Sequence, residues 1–304
     1  MSPAAGVGRG ARAELLGIAL VLAAAACFSA LDTTTKHVGA SVPLLMALWF
    51  RYAFQAAATT AVVLPLRGMK VLRTQHLPFQ VLRGLLLLTS SLLAFSSLRY
   101  MPVGEFTAIV MMAPLAVTLL AATVLKEHVS PLRWSLVGGG FVGTLVIMRP
   151  GGESFSWAML LPLGLVASNA WFQVLTSRMA RTEDPLTTHL YTGWVGTLVA
   201  SIALPTVWTT VGEPAVWAGL CFMGAMGTIG HFLLILAYRN APAATLTPYL
   251  YAQIGFSMLG GWLVFEHLPD NWSLAGMALI ALCGAAGAWA TVREARLPLQ
   301  PARA

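Results

Sequence analysis

The sequence predicts an all-α integral membrane protein, with ten transmembrane helices forming two five-helix repeats of inverted topology. Three observations carry this reading. Apolar residue types make up 58% of the 304 residues and charged types only 10%, against about 25% charged in soluble globular chains. So little charge cannot coat a surface facing water, whereas lipid accepts apolar side chains. The apolar residues fall into runs near the roughly 20 residues a helix needs to cross the hydrocarbon. Finally, one half of the chain echoes the other.

Taken in order, the runs are about 14–35, 43–65, 78–99, 102–125, 131–148, 156–179, 186–208, 215–238, 242–265 and 272–292. The first follows Arg9 and Arg12 and passes through Ala23-Ala24-Ala25-Ala26-Cys27, which resembles a signal peptide or a lipoprotein cleavage site. Its apolar stretch continues to Leu31, long enough to span, and the repeat needs this helix, so a retained span is expected. Proline stands at the start of several runs, as at Pro43, Pro102, Pro131, Pro185, Pro214 and Pro242; the first helical turn tolerates its missing N–H. The connections are short and leave no room for a soluble domain.

The net charge of +7 is read as a signal of membrane orientation, because the basic residues sit in clusters between apolar runs with no basic stripe interleaved with aromatics. With the N-terminus inside, fourteen Lys and Arg (from Arg9, Arg12, Arg67, Lys70, Arg73 and Arg83 to Arg303) fall at inner segments. Three, Lys36, Arg99 and Arg149, fall at outer ends, and Arg51 lies within the second span. That bias places both termini in the cytoplasm, and the expected location is a bacterial plasma (inner) membrane. Cys27, Cys221 and Cys283 lie inside apolar runs without a CxxC, so neither a disulfide framework nor a zinc site is expected. Asn271-Trp272-Ser273 matches a glycosylation sequon, a tripeptide common by chance.

The repeat has a spacing of about 139. Lys126 to Gly138 matches Phe265 to Gly276 with one residue skipped, sharing Glu, His, Pro, Trp, Ser, Leu and Gly; Phe28 and Leu31 answer Phe172 and Leu175. Five spans per half is odd, so the second half enters from the opposite side, giving domains 1–149 and 150–304. The first copy of the turn carries Lys126 and Arg133 where the second has Phe265 and Asn271, as an inside and an outside position require. Inverted repeats of this kind serve alternating access, with a substrate site near the midplane between the halves. Duplication that merely builds a stable bundle is the alternative.

Phe28 to Lys36 closing the first span, Arg51 in the second, Pro114 in the fourth, and the Glu127…Trp134…Gly138 turn with its second copy resemble the drug/metabolite transporter superfamily in its EamA-type branch. The resemblance covers nearly the whole chain. It implies a secondary transporter exporting amino acids and related metabolites, aromatic amino acids among them; some members move drugs or nucleotide sugars.

Polar groups at membrane depth are costly and face a cavity or a partner. His231, near the middle of the eighth span, is a candidate ligand for a substrate carboxylate, or an interhelical hydrogen-bond partner. Asn169, whose amide donates and accepts, and Trp171, which would stack on an aromatic substrate, lie in the sixth span with Gln173; packing is the alternative for each. Tyr249 and Gln253 are four apart and share a helix face, as a cavity lining would. Ser90, Ser91, Phe95, Met111 and Met112 are weaker candidates. Pro114 and Pro248, in spans related by the repeat, are expected hinges or static bends. Asp32, Lys36, Arg51 and Glu105, toward the outer ends, are candidates for gating ion pairs or for snorkelling, and the two acids for proton coupling. Gly138, Gly139, Gly143, Gly276, Gly284 and Gly287 read as close helix packing.

No catalytic or metal-ligating set is expected: the spans hold no HExxH, no GxSxG and no paired Asp, so an enzyme is disfavoured. No GxxxxGK[ST] occurs, so ATP is not expected as a partner, nor is nucleic acid. No ring of charges suggests a channel. The expected partners are a small-molecule substrate and the lipid bilayer, with no cofactor, in a monomer or homodimer.

Overall fold

In the computed structural model, residues 3–123, 131–151, 156–179, 182–240, 246 and 249–296 are described, and they form a bundle of α-helices. The helices are α1 (Pro3–Val38), α2 (Leu44–Arg67), α3 (Leu77–Ser97), α4 (Val103–Val110), α5 (Ala113–Thr123), α6 (Pro131–Met148), α7 (Leu161–Met179), α8 (Pro185–Val207), α9 (Pro214–Asn240), α10 (Ala252–Phe265) and α11 (Asn271–Arg296). Short 3-10 turns cover Gly68–Leu72 and Trp157–Leu160. Pro248 and the Lys126 to Ser130 turn lie outside the described residues.

Among the described residues, six stretches are long and apolar enough to cross a membrane: Leu15–Val38, Leu77–Ser97, Trp157–Thr176, Pro185–Val207, Pro214–Ala237 and Asn271–Ala290; Val103–Val117, Trp134–Met148 and Ala252–Phe265 are shorter apolar helical stretches. The outer surface carries large apolar side chains, among them Leu66, Trp157, Ile202, Leu263 and Leu282. In water such a coat would be an aggregation hazard; in lipid it is the solvated face. The 24-residue α2 is long enough to span, but Arg51, Gln55, Thr59 and Thr60 lower its hydropathy below that of the other long helices. It compensates by burying Arg51, Tyr52, Gln55 and Thr59 against other helices.

The fourth apolar run, expected as one span, is divided. Met111 and Met112 form a turn between α4 and α5, where the Met112 N–H reaches back only three residues, to the Ile109 carbonyl at 3.0 Å. Pro114 follows at the second position of α5 and has no N–H to offer the Val110 carbonyl, so a regular α-helix cannot run through.

α1 packs on α9 and α10, α2 on α8 and α9, α3 on α7 and α8, α4 on α10 and α7, α5 on α7, and α6 on α11. Glycine sets the closest approaches, as small residues do where helices meet in lipid. A Cβ at Gly143 would lie 2.9 Å from the Gly276 carbonyl oxygen, and one at Gly276 would lie 2.6 Å from that of Gly143, so α6 and α11 touch backbone to backbone. On α8, Gly193 meets the Ala56 backbone and Gly196 receives the flat face of Tyr52.

The two ends of the bundle are finished differently. At the end where α2 gives way to α3, the Glu183 carboxylate accepts from the Thr74 hydroxyl at 2.8 Å and from the Gln75 and His76 N–H groups at 2.9 and 3.1 Å. It thereby ties the α2–α3 connection to the α7–α8 connection. At the opposite end Asp270 caps α11, accepting from Ser273 N–H at 2.8 Å, and pairs with Arg149. The Arg149 hydrogen bond, with the Ser273 N–H behind it, holds the Asp270 carboxyl well below the usual carboxylate range, and the same bond raises Arg149.

Candidate functional site

A set of polar side chains lies in the interior between α2, α3, α7, α8 and α9. Arg51 and Gln55 are four apart on α2 and so share a face, with Tyr52 beside them. Arg51 lies about 10 Å along α2 from its start and Arg83 about 9 Å along α3 from its own, at 1.5 Å per residue. The two helices are consecutive and run in opposite directions, so one guanidinium sits toward each end of the bundle. Both are buried, at 5% and 9% exposure.

Arg51 Nη1 donates to Ser91 Oγ at 2.5 Å, and Ser91 shares a 2.8 Å hydrogen bond with the Tyr52 hydroxyl. Arg51 Nη2 stands 3.4 Å from His231 Nε2. The His231 ring meets Phe28 edge-on, with centroids 4.9 Å apart, and lies 6.4 Å from the His189 ring. Gln55 Nε2 is 3.4 Å from His189 Nδ1. At the next level Arg83 Nε donates to Thr176 Oγ1 at 2.7 Å, and Nη1 to the Thr188 carbonyl at 3.1 Å and to Thr192 Oγ1. The Arg83 guanidinium also lies over the Phe172 ring, 4.5 Å from its centroid, a cation–π contact. Two buried nitrogens, Arg51 Nε and His189 Nε2, have no partner. Arg51 and Arg83 take no part in the ion pairs Arg67–Asp184 and Arg149–Asp270, nor in the His267–Glu105 contact, found among the described residues. Asp32 lies within electrostatic reach of Arg51 and accepts from Gln253 Nε2 at 3.5 Å.

A second polar group stands at the α3–α4 end. Lys36 donates to the Leu98 and Met101 carbonyls at 2.7 and 2.9 Å, satisfying acceptors that the end of α3 leaves free. Glu105 Oε1 pairs with His267 Nε2 at 3.2 Å. Lys36, Arg99, Tyr100, Phe265 and His267 line a cavity of about 290 Å³ here.

The candidates from the sequence thus divide. Arg51, Ser91 and His231 come together in the interior, and Asp32 and Gln253 adjoin them. Lys36 lines the end cavity, and Glu105, buried behind it, meets the cavity-lining His267; neither pairs with Asp32 or Arg51. Phe95 is buried in the core beside Leu31, Met46 and Tyr52. Met111 packs at the α4–α5 turn against the other core cluster. Asn169 accepts from Gln173 Nε2 at 2.6 Å on its own helix, apart from the arginines. Trp171 and Tyr249 are 44% and 38% exposed. Four interior residues stand outside the sequence candidates: Tyr52, Gln55, Arg83 and His189. In the sequence Arg83 reads as a flanking charge, whereas it is buried among α3, α7 and α8. Its signal is a charge set several residues inside an apolar run.

Fold and site define a multi-pass helical membrane protein with a basic, hydrogen-bonded interior. The chain belongs to the EamA-like transporter family of the drug/metabolite transporter superfamily: that family matches residues 15–149. A riboflavin transporter of Vibrio cholerae serotype O1 is 30% identical over 234 residues, covering 75% of this chain and 78% of its own. An S-adenosylmethionine uptake transporter of Rickettsia bellii is 27% identical over 270 residues, covering 87% and 90%. A protein of solved crystal structure superposes with a TM-score of 0.66 at 19% identity, over 94% of this chain and 99% of its own, and so shares the fold. The chain is a membrane transporter of small molecules.

Proposed function

We propose that the protein is a secondary carrier for small organic metabolites, working by alternating access between the inverted halves 1–149 and 150–304 in a bacterial inner membrane, with both termini cytoplasmic. The helix packing carries this reading. Count α4 with α5 as the fourth span and α10 as the ninth, and exchange each span with its counterpart five places on. The pair α1–α9 then becomes α7–α3, α2–α9 becomes α8–α3, and α1–α10 becomes the contact of α7 with α4 and α5. The pairs α2–α8, α6–α11 and α4–α10 return to themselves. Two halves in interchangeable contact have two equivalent ways of opening, one to each side.

The substrate class put forward first is amino acids, including aromatic ones, held at the interface by Asn169, Trp171, His231, Tyr249 and Gln253, with Ser91, Phe95 and Met111 completing the lining. Pro114 and Pro248 act as hinges, and Asp32, Lys36, Arg51 and Glu105 as gating or coupling charges. A second reading, favoured by the names of the relatives, is a carrier for a flavin or for S-adenosylmethionine. Net flux follows whichever gradient exists, so export and uptake are two directions of one cycle.

The test is uptake of labelled phenylalanine, tryptophan, riboflavin and S-adenosylmethionine by liposomes holding the purified protein, with and without a pH gradient. Saturable uptake of the amino acids, mutually competing and weakened by Asn169→Ala or Gln253→Ala, supports the first reading. Saturable uptake of only the other two selects the second. Folded protein that moves none of the four, or that passes ions without saturation, refutes the proposal.

A further inference from the structure

Resting on the carrier reading, we infer that Arg51 and Arg83 form an anion subsite that receives the carboxylate or phosphate group of the transported metabolite. An ionised group in the hydrocarbon region costs free energy unless it is paired or faces a polar cavity. Here two guanidiniums lie inside the bundle without a carboxylate on either. The partners of Arg83 are neutral: Thr176, Thr192, the Thr188 carbonyl and the Phe172 ring. Asp32 stands near Arg51 without bonding to it. The interior therefore carries an excess of positive charge that an anion would neutralise.

Unused hydrogen-bonding capacity points the same way. Arg51 Nε and His189 Nε2 are buried without partners, and an unmade bond to a buried polar group is costly. Beside Arg51 Nε stands Gly227, where a Cβ would lie 3.4 Å from it and 3.5 Å from Leu31 Cδ2, so α9 approaches this side of the guanidinium without a side chain of its own. That fork matches the two oxygens of a carboxylate or phosphate. One arginine lies toward each end of the bundle, with Gln55, His189 and His231 between them, so an anionic group released by one meets the other further along the membrane normal.

The test is equilibrium binding of labelled probe pairs to the detergent-purified full chain. L-phenylalanine is set against L-phenylalaninamide, and flavin mononucleotide against riboflavin; each pair differs in one acidic group. In at least one pair the acidic probe binds about tenfold tighter or more, as loss of a charge-assisted hydrogen bond implies. Which pair shows it separates carboxylate from phosphate. Arg51→Gln and Arg83→Gln bring the ratio toward one, and the Lys variants keep part of the preference. Should the Gln variants not fold, Gly227→Val, whose γ-carbons reach beyond the 3.4 Å contact a Cβ would make with Arg51 Nε, lowers the same ratio. Equal affinity within both pairs, a preference that survives these substitutions, or no binding of either acidic probe overturns the subsite. Saturable liposome uptake alongside such a result would leave the carrier intact, so the two failures are distinguishable.

Discussion

Tyr52 owes its position to a side chain that is absent. Its ring lies flat on Gly196 of α8, and from there its hydroxyl reaches Ser91, which accepts in turn from Arg51. A branched side chain at 196 would push the ring away and break that chain at its first link. Gly196→Val is expected to cost roughly 1–3 kcal/mol, the usual range for overpacking, seen as a lower melting temperature, and to weaken substrate binding. Gly138→Ala, where a Cβ meets nothing within 4 Å, is the control and should change neither. Ser91 and His231 were legible as polar groups deep in apolar runs, and Arg51 as a charge toward the outer end of one. Arg83 and His189 were not, because each lies within two turns of its helix's start, where a long side chain can equally snorkel to the interface. Hydropathy along one helix does not say which way a side chain points; Thr176, Thr188 and Thr192 on neighbouring helices decide it. Trp171 and Tyr249, 44% and 38% exposed, meet the same limit, since an aromatic ring in a span suits lipid as well as a cavity and exposure alone does not choose between them.

Composition reads helices well and breaks poorly. Run 131–148 coincides with α6, and 186–208 differs from α8 by one residue at each end, because the change from apolar run to Pro or polar loop is abrupt. The division of α4 from α5 escapes a hydropathy reading, since Met111 and Met112 are as apolar as their neighbours; only the missing N–H of Pro114 announced a bend. The turn is held in place by packing, with the Thr144 hydroxyl donating to the Met112 sulfur across from α6. Pro114→Ala is expected to let helix run through from α4 to α5. It should raise the melting temperature, because proline inside a helix costs about 3 kcal/mol, and slow transport several-fold if the break is where the two halves flex. Melting and initial uptake rate measured on the same preparation decide it: an unchanged rate in a stabilised variant makes the break a static bend.

The two ends of the molecule are held differently. The end bearing Lys36, Arg99 and His267 holds a cavity of about 290 Å³, while the opposite end is tied by the three hydrogen bonds that Glu183 accepts from 74–76. Below that tie Val71 is packed with Val63 and Leu190. In the alternating carrier proposed above, whose ends would open in turn, the Glu183 tie would have to break once in every cycle. Hydrogen bonds to a charged acceptor are worth about 1.5–3 kcal/mol each, enough to set which end is open at rest. Removing the charge should therefore shift the population toward opening at this end. A single cysteine at Val71→Cys, with Cys27, Cys221 and Cys283 replaced, reports this through its rate of labelling by a water-soluble maleimide. Glu183→Gln should speed labelling several-fold, and a saturating transported substrate should alter the rate in the wild-type background. If labelling is as slow in the Glu183→Gln variant as with the carboxylate in place, the apolar contacts of Val71 alone hold this end shut, and the carboxylate merely shapes the connection between α2 and α3.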